Sequence, residues 1–169
     1  LANKLSGLRL GLVGMGRIGQ AIAHRAQAFG MPIAYTARSA KAELPYRFVA
    51  SAQALAAEVD VLCIITPGGA GTYHLVNAEV LQALGPQGYL VNVARGSVVD
   101  EAALVAALQA GQIAGAGLDV FEDEPRPLPE LMTMDNVVLT PHVGSATHQT
   151  RQAMAELATE NVQLYFAQS

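Results

Sequence analysis

The residues best able to do chemistry form two groups. The first is a glycine run, Gly14-Met15-Gly16-Arg17-Ile18-Gly19, which follows an apolar stretch and leads into a helical pattern. In that setting Gly14 permits a tight turn and Gly16 lets the backbone approach a pyrophosphate. Gly19 lets the helix pack close to the strand. Arg17 and Ile18 open the helix, where free N–H groups and the positive dipole end attract an anion. A glycine turn with no ligand has the same letters, so the flanking strand and helix carry the reading. The second group is Arg95, Glu124 and His142. Such a trio suits carbonyl reduction. Hydride delivered to a carbonyl carbon makes an alkoxide, which needs a proton donor. Histidine, with an ordinary pKa of ~6.5, is apt. A carboxylate beside it favours the protonated ring and fixes its orientation. An arginine holds a substrate carboxylate through two parallel hydrogen bonds and polarises the neighbouring carbonyl. A 2-keto acid offers both groups. Taken singly, Glu124 also fits a surface ion pair, His142 a loop histidine and Arg95 a salt bridge at a helix entry.

The elements that must position these residues alternate between strand and helix. Strands are expected at 8–13, 32–36, 47–49, 59–65, 88–93, 113–120 and 137–140, and helices at 17–29, 51–58, 77–84, 100–110 and 145–167. Continuous apolar strands separated by helices predict an α/β fold of the Rossmann type, a doubly wound parallel sheet covered on both faces. In a parallel sheet all strands end at one edge, and ligands bind outside those ends. Arg95, Glu124 and His142 each fall just past an expected strand end. The topology therefore gathers them on one rim. Helix 100–110 is apolar nearly all round, which predicts burial, in part against a partner subunit. The stretch 122–136, with three prolines, is the one long irregular segment.

The second strand bears on the choice of nucleotide. An Asp or Glu about 20 residues past the glycine motif would accept from the ribose 2′-OH of NAD. Ala37 stands near that place, and Ala37-Arg38-Ser39-Ala40-Lys41 carries no carboxylate. Arg38 can grip a 2′-phosphate by charge and planar donors, Ser39 can add a hydroxyl and Lys41 a further charge. This favours NADP over NAD, with a merely solvated basic turn as the alternative.

Composition narrows the classes. The chain has 169 residues, of which 51% are hydrophobic and 14% charged, enough apolar material for one full core. The 10 basic and 14 acidic residues give a net charge of −4 without any basic tract, so no nucleic-acid partner is expected. The single cysteine, Cys63, excludes an internal disulfide and a cysteine-based zinc site, and no metal is expected. Its apolar surroundings predict a small buried side chain. There is no apolar run of the ~18–20 residues that span a bilayer, and no signal peptide, so a cytoplasmic protein with no membrane association is expected.

The segments now assembled resemble one family. Gly14–Gly19, Asn92-Val93-Ala94-Arg95-Gly96-Ser97-Val98-Val99-Asp100-Glu101, Gly117-Leu118-Asp119-Val120-Phe121-Glu122-Asp123-Glu124-Pro125 and Pro141-His142-Val143-Gly144-Ser145-Ala146-Thr147 occur in the order seen in the cofactor domain of D-isomer-specific 2-hydroxyacid dehydrogenases. The resemblance implies that Arg95 binds and activates substrate. It implies that Glu124, the acidic residue directly before Pro125, pairs with His142 as the catalytic histidine. Thr66, Pro67 and Thr72 would line the adenosine or phosphate side. Val93, Ala94, Asp119, Gly144 and Ser145 would lie at the nicotinamide half. Formate dehydrogenases of the superfamily carry glutamine at the carboxylate position, and Glu124 argues against that branch. Thr36-Ala37-Arg38-Ser39 looks like the NADPH-preferring glyoxylate and hydroxypyruvate reductases.

Two departures accompany the resemblance. Thr66-Pro67-Gly68-Gly69-Ala70-Gly71-Thr72 is richer in glycine than the usual segment. Family members are also about twice this length, with a second domain built from both termini, so the chain is expected to be an excised cofactor domain. The implied activity is NADPH-dependent reduction of a small 2-keto acid, glyoxylate or hydroxypyruvate, by a homodimer joined through this domain. The alternatives are an NAD-dependent dehydrogenase of another 2-hydroxy acid, or a non-enzymatic dinucleotide sensor of the corepressor type.

Overall fold

Short apolar runs bounded by glycine, proline and polar residues make seven strands, seen in a computed structural model that describes residues 4–167. They are β1 (Leu10–Val13), β2 (Ile33–Thr36), β3 (Arg47–Phe48), β4 (Val61–Ile64), β5 (Tyr89–Asn92), β6 (Gly115–Leu118) and β7 (Val137–Leu139). All pair in parallel, in the order β3-β2-β1-β4-β5-β6-β7. The chain builds outward from β1 to β3, returns to the other side of β1, and builds outward again to β7. The reversal opens a crevice between β1 and β4 at the carboxyl ends. This is the doubly wound sheet expected from the sequence.

The register explains how distant residues meet. Val13 pairs with both Thr36 and Ile64, Ile64 with Asn92, Asn92 with Leu118, and Leu118 with Leu139. These residues form one row across the sheet. Whatever follows them in sequence must leave the sheet on the same rim.

Five helices cover the faces: α1 (Arg17–Gln27), α2 (Ala52–Ala56), α3 (Ala78–Leu84), α4 (Glu101–Gln109) and α5 (His148–Ala167). Ser51, Asn77 and Asp100 open α2, α3 and α4 by accepting the N–H groups of Ala54, Val80 and Ala103 at 3.1, 3.2 and 2.9 Å. Each satisfies an N–H that the helix cannot. One core, with Leu12, Met15, Ala23, Tyr35 and Cys63, lies on the α1 side. The larger core holds Leu55, Leu62, Leu81, Leu90, Leu104 and Ile113. Cys63 is buried, and burial pushes its thiol up to about 11, as its apolar neighbours led one to expect.

Several elements end sooner than their hydrophobic runs. The 113–120 run pairs only over Gly115–Leu118, and the 59–65 run only over Val61–Ile64. Helix 145–167 begins at His148 because the Thr147 hydroxyl accepts the Thr150 N–H at 3.1 Å and caps it. The apolar α4 buries Leu104, Ala107 and Leu108 against its own core while Ala102, Ala106 and Gln109 face outward. Alanines make its outer face inexpensive to expose, so the helix is one-sided despite its composition. The irregular 122–136 segment contains a 3₁₀ turn at Leu131–Thr133 that buries Leu131. No described helix is long and apolar enough to cross a membrane.

Candidate active site

The glycine run sits where β1 meets α1, and each glycine answers a different steric demand. Gly14 has φ +112°, and a Cβ there would stand 2.9 Å from the Thr66 nitrogen. At Gly19 a Cβ would fall 2.5 Å from the Gly14 carbonyl oxygen, so only glycine lets α1 start this close to the strand. Gly16 has open space instead, which leaves its backbone free to be approached. Gly16 is the α1 N-cap, with no side chain capping the helix and no acidic residue in its first turn. The N–H groups therefore face an open cleft of roughly 540 Å³ lined by Gly14–Gly19, Ala37, Arg38, Ser39, Lys41, Thr66 and Pro67. A glycine cradle, an uncapped helix end and exposed Arg38 and Ser39 fit a dinucleotide that carries an extra phosphate.

Arg95 lies beyond the end of β5 on a turn that buried Asn92 clamps. The Asn92 side-chain oxygen accepts the Ala94 N–H at 3.1 Å, and its amide donates to the Arg95 carbonyl at 3.0 Å. Arg95 Nη1 also donates to the Ala94 carbonyl at 2.6 Å. A Cβ on Gly68 would come within 3.0 Å of Arg95 Cγ, so the glycine-rich 66–72 segment leaves room for the arginine stem. Arg95, Val93, Ala94, Ile18, Thr66 and Pro67 line a second cleft that shares walls with the first. The Thr72 hydroxyl is turned inward, donating to the Pro67 carbonyl at 2.7 Å and closing the segment on itself.

His142 and Glu124 form a pair. His142 Nδ1 lies 2.7 Å from Glu124 Oε2, while Glu124 Oε1 accepts the Phe121 N–H at 3.2 Å. The hydrogen bond with His142 holds the Glu124 carboxyl below its ordinary value; partial burial opposes this, and the charge of Arg95 assists. Glu122, two residues earlier, is spent elsewhere: its Oε1 meets His74 Nε2 at 3.0 Å and Tyr73 Oη at 3.2 Å. His142 Nε2 has no partner among the described residues.

His142 stands at φ +54°, a conformation uncommon outside glycine. Asp119, the first residue past β6, compensates for that turn. Its Oδ1 accepts the Thr140 hydroxyl at 2.5 Å and the Val143 N–H at 2.9 Å, and its Oδ2 accepts the Gly144 N–H at 3.0 Å. Burial acts to raise the Asp119 carboxyl, and these bonds outweigh it, so it sits below its ordinary value. Both Asp119 oxygens are therefore committed to the turn that carries His142. Gly144 and half-buried Ser145 complete that turn.

The geometry thus brings Glu124 and His142 into contact, with Arg95 on the same rim and electrostatically coupled to Glu124. Three further residues, given no role by the motifs, support the site. Asn92 shapes the arginine turn, Thr140 bonds Asp119, and buried Glu101 accepts the Glu122 N–H at 2.7 Å through Oε1. A polar residue at the end of an apolar run was the available signal for Asn92 and Thr140. Glu101 reaches 21 residues along the chain and leaves no local trace.

Comparison with known proteins gives a consistent result. Residues 1–144 match the family model described as D-isomer specific 2-hydroxyacid dehydrogenase, NAD binding domain. A hydroxyphenylpyruvate reductase of Plectranthus scutellarioides is 48% identical over 167 residues, which is 99% of this chain and 53% of that protein. A glyoxylate/hydroxypyruvate reductase of Arabidopsis thaliana is 46% identical, again over 99% of this chain and 53% of its own length. An NADPH-dependent glyoxylate/hydroxypyruvate reductase of Sinorhizobium meliloti, solved with NADP and malonate, superposes with TM-score 0.93 and 52% identity, covering 95% of this chain and 50% of that one. The chain therefore spans about half the length of the relatives it matches.

Proposed function

This chain belongs to the D-isomer specific 2-hydroxyacid dehydrogenase family, and from that membership and the rim geometry we propose that the protein reduces a small 2-keto acid, glyoxylate or hydroxypyruvate, to the D-2-hydroxy acid with NADPH. The observation that carries the reading is the 2.7 Å contact between His142 and Glu124 on the rim that also holds Arg95 and the glycine cleft. The names of the Arabidopsis and Sinorhizobium relatives support the substrate class and the nucleotide. Bound across the cleft, the reduced nicotinamide dinucleotide supplies the hydride.

The rest is done by the chain. The backbone N–H groups at the start of α1 hold the pyrophosphate, and Arg38 and Ser39 hold the 2′-phosphate. Arg95 binds the substrate carboxylate and polarises the adjacent carbonyl. His142 gives a proton from Nε2 to the carbonyl oxygen as it gains negative charge, while Glu124 on Nδ1 fixes the ring and balances its charge. Asp119 and Asn92 keep the two turns in place. The half of the protein beyond this chain closes the opposite side of the cleft, and two copies join through this domain in the cytoplasm.

The test is a panel of glyoxylate, hydroxypyruvate, pyruvate, phosphohydroxypyruvate and hydroxyphenylpyruvate, each with NADPH and NADH, on the full-length protein. The highest kcat/KM is expected for glyoxylate or hydroxypyruvate with NADPH. No turnover of any 2-keto acid would reject the reductase reading, and equal use of both nucleotides would reject the NADPH part.

A further inference from the structure

We propose that Tyr35 sets nucleotide selectivity by holding in place the loop that carries Arg38 and Ser39, a role that rests on the NADPH reading above. Tyr35 lies in β2 and is 1% exposed. Its ring meets Phe48 of β3 edge-on, with centroids 5.6 Å apart. Its hydroxyl accepts the backbone N–H of Lys41 at 2.7 Å, six residues further along. The Lys41 carbonyl in turn accepts the Leu44 N–H at 3.1 Å. Arg38, Ser39 and Ala40 between these anchors are exposed. Among the described residues, the Tyr35 hydroxyl is the only polar tie between the span Arg38–Lys41 and the sheet.

The chemistry of the position argues that the hydroxyl is there for the loop. Packing alone would be served by phenylalanine, since the neighbours in this core are apolar. A buried hydroxyl needs a partner, and this one finds its partner in the loop backbone. The packed ring fixes the hydroxyl in space, so the loop inherits the rigidity of the sheet. An arginine presented on a preformed loop loses less conformational freedom when it grips a phosphate. NADH has no 2′-phosphate and gains nothing from that preorganisation. The hydroxyl therefore acts on the difference between the two nucleotides, through Arg38 and Ser39, without touching either. Tyr35 is a positioning residue.

Calorimetric titration of the full-length protein with NADPH and NADH, for wild type, Tyr35→Phe, Arg38→Ala and the double variant, tests this. Tyr35→Phe is expected to weaken NADPH binding about three- to tenfold, the weight of one hydrogen bond, and to leave NADH within about twofold. In the Arg38→Ala background the same change is expected to have little further effect on NADPH, because the group it places is gone. NADH binding in each variant reports that the fold is intact. Equal weakening of both nucleotides by Tyr35→Phe would overturn the proposal, as would an unchanged ratio in a wild type that prefers NADPH. A wild type that binds both alike would overturn the NADPH reading itself, and this proposal with it.

Discussion

Gly96 lies so close to Phe121 that a Cβ on Gly96 would fall 1.8 Å from the Phe121 carbonyl carbon. Two backbones touch here with nothing between them. One carries Arg95 immediately before the contact, and the other carries Glu124 three residues after it. The spacing between the two proposed active-site segments is thus set by the absence of a side chain. Gly96→Ala must push the segments apart or break one of them. Displacements near 1 Å can cost about 100-fold in rate. A loss of kcat/KM of at least that order is expected, together with roughly 1–3 kcal/mol of stability from overpacking. Steady-state kinetics and thermal unfolding of the variant check both. Near-normal kinetics would show that the contact can relax at no catalytic cost.

The His142–Glu124 pair predicts two separable phenotypes. His142→Ala is expected to lower kcat by on the order of 10²–10⁴ while NADPH affinity stays within about twofold. Glu124 carries its charge down to acid pH, since its hydrogen bond with His142 depresses its titration. Its contribution to stability is therefore present above an unfolded value of about 4.3 and is lost as pH falls through the depressed folded value. Glu124→Gln removes that charge from beside the ring. Turnover is expected to fall by about 10–100-fold, because the ring loses the carboxylate that fixes its orientation, while NADPH affinity is kept. Unchanged kcat would separate the carboxylate from the proton transfer.

Glu101 offers a test on stability alone. Burial, with the charges of Glu122 and Asp123, raises its carboxyl above the ordinary value; the bond from the Glu122 N–H works the other way. A raised carboxyl is stabilised in its neutral form, so its contribution is fullest below about pH 4.3 and shrinks as pH rises through the folded value. Glu101→Gln keeps an oxygen to accept the Glu122 N–H and removes the charge. The variant is expected to melt about 1–3 °C higher at neutral pH, with the gain vanishing toward pH 4. A lower melting temperature at neutral pH would mean that the charged hydrogen bond outweighs the burial of charge.

What the sequence disclosed follows from which physical constraints are local. The glycine run was legible because each glycine answers a demand made by its immediate neighbours. Arg95 and His142 were legible as rim residues because parallel strands all finish on one side. The separate employment of Glu122, turned to His74, and Glu124, turned to His142, was not visible in periodicity and came only through family resemblance. Asn92, Thr140, Glu101 and Tyr35 act through side-chain hydrogen bonds, some reaching far along the chain, and such bonds leave no repeating pattern. Most strand ends differ from expectation by one or two residues because apolar runs continue where backbone pairing has already stopped. The inner and outer sides of α4 were hidden by alanine, which is at home on either.

β7 is the outermost strand, and Val138 at its centre is 68% exposed. The His142 turn is an extension of that weakly covered border, and what secures it comes from Asp119, one strand inward. Borders of a sheet open at lower free energy than its middle. Warming should therefore undo the turn that carries His142 while β1, β4 and β5 are still assembled, with activity fading in a thermal scan before the helical signal does. For this architecture, durability of the catalyst and durability of the fold are two different quantities.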